Sequence, residues 1–141
     1  MADIVVTAAK VSPVYPTKAE IYPFIAGVTI TAGQVVYLAT DGKVGVGEAD
    51  QAAKDQPLGI ALQGVGAWQA VDVLIRGHVY GFTLANQNYG IPLYLSDTAG
   101  AMTDTAGEST VNQIMARVFP LSDSSLTKVV FIDIPFATEY A

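Results

Sequence analysis

The side chains able to do chemistry are sparse in this chain, and their spacing is the first constraint on function. The one histidine, His78, lies in Arg76-Gly77-His78-Val79-Tyr80, and there is no cysteine. A nucleophile–imidazole pair would have to recruit a distant Ser or Thr, because no Gly-x-Ser-x-Gly elbow exists. A lone histidine between strand-forming residues is expected to be structural. Carboxylates gather at Asp97, Asp104 and Glu108, where Asp-Thr-Ala-Gly occurs twice. Such oxygens suit calcium, but their order is not that of an EF-hand loop. Two polar turns bracketing a short strand at Ala101–Thr103 are expected instead, without a metal. The same tetrapeptide departs from the Asp-Thr/Ser-Gly of aspartic proteases by an inserted Ala. The glycines between Gly59 and Gly66 are not followed by Gly-Lys-Ser/Thr, so they build no phosphate loop. No catalytic, cofactor or metal residue is assigned, and the chain is expected not to be an enzyme. Trp68, the only tryptophan, sits in the loop-like stretch Gly64–Gln69. Its ring either plugs the end of a barrel or anchors a partner.

Composition narrows the partners. The net charge is −6 and the seven Lys and Arg are scattered singly. A nucleic-acid binder needs a basic face to displace phosphate counterions, so no nucleic acid is expected. The chain is 51% hydrophobic and only 14% charged, more apolar surface than one small domain hides, so some of it is expected to face a partner. A membrane is not expected to be that partner, because Gly, Pro, Asp or Lys interrupts every apolar run before it reaches the length of a spanning helix. Met1-Ala2-Asp3-Ile4-Val5-Val6 lacks the basic region of a signal peptide, so export by that route is not expected.

The elements that would position these residues are strands. Dense glycine punctuation separates short segments rich in Val, Ile, Tyr and Phe. The predicted strands are Glu20–Ile25, Gln34–Leu38, Lys43–Val46, Pro57–Ala61, Ala70–Ile75, His78–Phe82, Leu93–Leu95, Val111–Phe119 and Lys128–Ile134. Their spacing predicts an all-β domain, a small barrel or sandwich. Asp41-Gly42 between Val35–Leu38 and Val44/Val46 predicts a hairpin closed by a two-residue turn. Period-two alternation places Val71, Val73 and Ile75 on one face, with Ala70, Asp72 and Leu74 on the other. Helix is limited to one short stretch, Glu48–Lys54, and a further turn starting at Ser122–Ser125.

Residues 1–25 stand apart from the β-rich domain expected over 26–141. Pro13 and Pro16 favour extended chain and cannot sit in a central strand. Ile4, Val5, Val6, Val11, Val14 and Tyr15 give the segment apolar side chains. It reads as an arm, loose over residues 1–16 until a partner's edge orders it, or as an edge strand of the same domain.

The order of several pieces resembles the decoration (cement) proteins of tailed-phage capsids. Ala26-Gly27-Val28-Thr29-Ile30-Thr31-Ala32-Gly33-Gln34-Val35-Val36-Tyr37 with Asp41-Gly42-Lys43-Val44 looks like their opening hairpin. Pro57-Leu58-Gly59-Ile60-Ala61-Leu62 is similar to their next strand. Val71-Asp72-Val73 and Gly77-His78-Val79-Tyr80-Gly81 look like their glycine-hinged pair. Gly90-Ile91-Pro92-Leu93-Tyr94-Leu95-Ser96-Asp97-Thr98-Ala99-Gly100 resembles the segment that follows. The resemblance implies a β-tulip fold like that of head decoration proteins of lambda-like phages. It implies a homotrimer bound to the major capsid protein on the outer surface of the virion, bridging capsomers, made in the host cytoplasm. It also implies an N-terminal arm reaching onto the shell, here Ile4, Val5, Val6, Val11, Val14 and Tyr15. The alternative is a β-rich module of a phage tail or fibre, with Tyr80, Phe82, Tyr89 and Tyr94 as a sugar platform.

Overall fold

The computed structural model describes residues 3–51, 53, 54, 56–105, 114–121 and 124–134. Twelve strands are present among them: β1 (Val5–Val6), β2 (Ser12–Pro13), β3 (Glu20–Ile25), β4 (Val35–Leu38), β5 (Val44–Val46), β6 (Gly59–Ala61), β7 (Ala70–Tyr80), β8 (Phe82–Thr83), β9 (Pro92–Leu95), β10 (Met102–Thr103), β11 (Ala116–Leu121) and β12 (Ser124–Asp133). The protein is all-β. The main sheet runs β10-β9-β11-β12-β7-β6-β4-β5 and curls into a half-barrel, with β2 and β3 also on β7, while β1 and β8 form a separate ribbon.

β7 is the spine. Arg76 faces Glu20 of β3 on one side and Asp133 of β12 on the other, and Leu74 faces Ile21 of β3 and Ile60 of β6. Each strand has only two edges, so β12 and β6 occupy one edge in succession and β3 with β2 takes the other. The register slips between Glu20 and Ile21, and Gly77 has φ +143. A glycine at this point lets the strand bend without ending, which changes partners along a single edge. The two predicted strands Ala70–Ile75 and His78–Phe82 are therefore largely one.

Alternation along β7 supplies both cores. Val71 and Val73 are buried in one cluster with Ala26, Ile30, Val36, Val44, Leu58 and Ala61, and Ile75 packs against it. Leu74 points the other way into a larger cluster containing Val35, Ile60, Val79, Leu93, Met102, Met115, Val118, Val130 and Ile132. Asp72 pairs with Gln63 instead, its N–H donating to Oε1 and its carboxylate accepting from Nε2, both at 3.0 Å.

Two local expectations need correction. The β4–β5 hairpin forms, but its loop has three residues, Thr40-Asp41-Gly42. The Gly42 N–H donates to Ala39 O at 3.0 Å and the Ala39 N–H to Lys43 O at 2.8 Å, and Gly42 takes φ +86 as the left-handed residue after the turn. The predicted helix at Glu48–Lys54 is a pair of tight turns, with Gln51 N–H donating to Glu48 O and Lys54 N–H to Gln51 O. Its backbone is engaged elsewhere: Ala49 is buried and its N–H donates to Ser96 O at 2.9 Å. The only helical pieces among the described residues are two 3-10 turns, Ala8–Lys10 and Pro16–Lys18. Ser124 already belongs to β12, while residues 122 and 123, and 111–113 of the predicted Val111–Phe119 strand, lie outside the described residues. No helix among the described residues is long and apolar enough to cross a membrane.

Candidate functional site

The most conspicuous surface feature is a platform around Trp68. Trp68 is 72% exposed, so it does not plug the sheet. It is also the one non-glycine residue at positive φ among the described residues, at 71°. That region is disfavoured for L side chains and is a genuine outlier for a bulky one. The conformation is held from below: Trp68 N–H donates to Ala26 O at 2.7 Å, and Gln69 O accepts from the Ala26 N–H at 2.9 Å. Lys43 Nζ stands 4.0 Å from the ring centroid, a cation–π contact that fixes the indole outward. Tyr22, Ile25 and Val28 are also exposed, at 54%, 43% and 47%. Ile25 and Val28 flank the Ala26 support, and Val28 shares a shallow cleft with Lys43 and Asp41. Among the described residues β3 pairs with β7 alone, and Pro23 interrupts the donors of its other edge.

Asp41 shapes the rim. Its carboxylate accepts the Lys43 N–H at 3.0 Å and lies 3.4 Å from Lys43 Nζ. The backbone N–H of Lys43, aided by the Lys43 ammonium, holds the carboxyl below its ordinary range. The same lysine thus serves the turn and the indole. Sequence reading singled out Trp68 but not Lys43, whose role depends on a contact across 25 residues of chain.

The predicted arm residues lie against the domain. Asp3 bridges Thr103, Val5 pairs with Thr83 and Val6 with Phe82, and Ser12 and Pro13 pair with Tyr80 and Val79. Ile4 N–H donates to Met102 O and Thr7 N–H to Gly81 O, both at 2.8 Å. Ile4 is 4% exposed within the main core, whereas Val5 is 64% exposed; Val6, Val11, Val14 and Tyr15 are half-buried. Ile4 is thus a core side chain here, and the Ile4, Thr7 and Val14 amides already donate to this domain.

His78 sits on the outward face of β7 within a ring cluster. Its imidazole meets Tyr15 edge-on at 5.1 Å, Phe131 at 4.8 Å and Phe119 at 5.6 Å, and the two phenylalanines stack at 4.8 Å. Burial pushes its pKa below the ordinary 6.5. Asp104 accepts from Gln87 and Thr105, Glu108 lies outside the described residues, and no three potential metal ligands come together among the described residues. Of the rings considered for a sugar platform, Tyr80 and Tyr89 are exposed while Phe82 and Tyr94 are half-buried, and the four lie on separate segments. No known protein family, curated protein or solved structure matches this chain.

Proposed function

We propose that this chain is a non-catalytic structural protein of a phage virion that binds the outer capsid surface and bridges neighbouring capsomers as a homotrimer. One observation carries the docking part of this reading. A solvent-exposed indole is held at a disfavoured backbone angle against the Lys43 ammonium, with exposed Ile25 and Val28 on either side of the Ala26 that bonds its backbone. Backbone strain persists only where surrounding structure enforces it, and it concentrates at sites of function. Exposed aromatic anchors in apolar surroundings are what protein interfaces use as hot spots. The capsid identity of the partner rests on the order of sequence pieces resembling decoration proteins, and the all-β fold agrees with it. The acidic remainder of the surface suits a protein facing solvent.

Purified shells stripped of this protein provide the test. The intact chain should sediment with them at capsid-wide copy number, and imaging should place it at three-fold positions with the Trp68 platform toward the shell. Trp68→Ala should weaken sedimentation by tenfold or more, the scale of losing one hot-spot ring. Single copies at sites without three-fold symmetry, or full attachment by Trp68→Ala, would sink the reading.

A further inference from the structure

The outward face of β11, β12 and β7 departs from what a solvated sheet face should look like. An antiparallel sheet with one buried face normally turns polar residues to water. Here Phe119, Phe131 and His78 form a continuous ring stripe, met edge-on by Tyr15. Beside it opens a cleft of about 430 Å³ lined by Tyr15, Lys18, Arg76, His78, Pro120 and Phe131. That size lies within the usual range for small-molecule sites.

Charge is unevenly spent on this cleft. The whole chain has seven Lys and Arg and one His against thirteen Asp and Glu, yet two of those cations and the histidine converge here. Lys18 makes no side-chain ion pair or hydrogen bond among the described residues. Arg76 meets Asp133 through Nε at 3.4 Å and lies over the Phe131 ring, 5.8 Å from its centroid, and among the described residues no hydrogen bond holds the terminal nitrogens of its fork. Glu20 faces Arg76 across the β3–β7 register without an ion pair. The His78 ring nitrogens likewise have no hydrogen-bond partner among the described residues. A half-buried imidazole with neither ring nitrogen hydrogen-bonded among the described residues, set among rings in a cleft shared with two cations, is a polar group without a counterpart there.

We propose that this cleft binds a carboxylate carried on an aromatic body, with Arg76 and Lys18 taking the carboxylate, the imidazole N–H assisting, and Tyr15 and Phe131 flanking the ring. A guanidinium fork matches a carboxylate in shape as well as charge. The nearby Asp133 and Glu20 limit the site to a monoanion and disfavour a phosphate dianion. The proposal does not depend on the virion reading. Two sources share the chemistry: a free aryl carboxylate, and the C-terminal aromatic residue of a peptide.

A single histidine makes the test clean, because the imidazole carbon-bound protons of the full chain give one set of NMR signals. These are followed while phenylacetate, its neutral amide, or N-acetylphenylalanine is added. Phenylacetate should shift the His78 signals saturably with a millimolar or tighter Kd, and the amide should bind roughly tenfold more weakly, as expected for loss of one charge-assisted contact. Arg76→Gln and Lys18→Gln, both surface changes, should each weaken phenylacetate binding severalfold while leaving the backbone amide spectrum intact. Tighter binding of N-acetylphenylalanine would assign the site to a peptide terminus, and tighter binding of phenylacetate to a small molecule. Absence of a saturable shift, equal binding of the amide, or indifference to both substitutions would overturn the proposal.

Discussion

Trp68 allows the backbone and the ring to be tested separately. Replacing it with Ala removes the ring and keeps a Cβ at φ 71; replacing it with Gly removes both. The ring is 72% exposed, so about a quarter of a tryptophan's surface is lost from burial, worth about 1 kcal/mol at ~25 cal/mol/Å². The Lys43 contact at 4.0 Å adds about 0.5–1 kcal/mol for an exposed pair. Trp68→Ala should therefore destabilise by about 2 kcal/mol. Trp68→Gly loses the same contacts but recovers about 1–2 kcal/mol of left-handed strain, set against about 0.5–1 kcal/mol of extra unfolded-state freedom. Glycine should thus be more stable than alanine by roughly 0.5–1 kcal/mol, the reverse of the order in a strand. Urea unfolding of the parent and both variants measures this difference directly. Binding to shells should fall equally in the two variants, because both lack the indole. If alanine proves the more stable, the backbone outlier is not a property of the protein. If binding tracks stability rather than the ring, Trp68 is packing and not an anchor.

Three further outcomes follow from single observations. At Gly42, φ is +86 and an added Cβ would meet open space, so Gly42→Val should cost about 1–3 kcal/mol through the backbone alone and Gly42→Asn much less; equal thermal midpoints for all three would refute the left-handed assignment. Burial lowers the His78 pKa below 6.5, so the unfolded chain takes up a proton first; its contribution to stability is full above pH 6.5 and is lost as pH falls through the folded pKa. His78→Phe should flatten the urea midpoint between pH 7 and 5, and an unchanged slope would exclude His78 as its source. Ile4 is 4% exposed in the core, so Ile4→Ala should cost about 2 kcal/mol or more, and hydrogen exchange should show protection at the Ile4 and Thr7 amides; a neutral substitution with unprotected amides would show residues 3–16 to be loose in the free protein.

The strands were legible because their signal is local. Glu20–Ile25, with Ile21, Tyr22, Phe24 and Ile25 between turn residues, has the bounds expected for it, and the alternation of Val71, Val73 and Ile75 assigned the faces of β7 correctly. Turn chemistry found the hairpin but not its loop length, since Asp-Gly serves both two-residue turns and the last two positions of a three-residue loop. The Glu48–Lys54 helix failed because propensity over seven residues is a weak prior, easily overridden when backbone groups bond to neighbours. What the sequence could not disclose was assembly across distance. His78 meets Phe119 and Phe131 only because β12 pairs with β7, and Lys43 meets Trp68 only because the 39–43 turn folds over the Ala26 bridge. One trace of the ring stripe was available: Arg76, His78 and Tyr80 occupy alternate positions, as do Phe131 and Asp133. Each set mixes rings with charges on a face expected to be polar.

The two surfaces sit at opposite ends of the spine strand. Trp68 lies just before Ala70, where β7 begins, and His78 lies near its end at Tyr80. Eight residues of extended chain between Ala70 and His78 span about 25 Å. Separations beyond about 7–10 Å without shared partners normally give additive energies. The platform rests on Ala26 and Lys43, whereas the cleft rests on Tyr15, Arg76 and β12, so the two have no side chain in common. A Trp68→Ala, Arg76→Gln double variant should accordingly show the sum of the single losses in stability. Ligand in the cleft should leave shell attachment unchanged. Coupling between them would need β7 to transmit it, and the strand is anchored on both edges, by β3 and β2 on one and by β6 and β12 on the other. Such a strand shifts only if those pairings shift, so any measured coupling would report movement of the whole sheet rather than of either site.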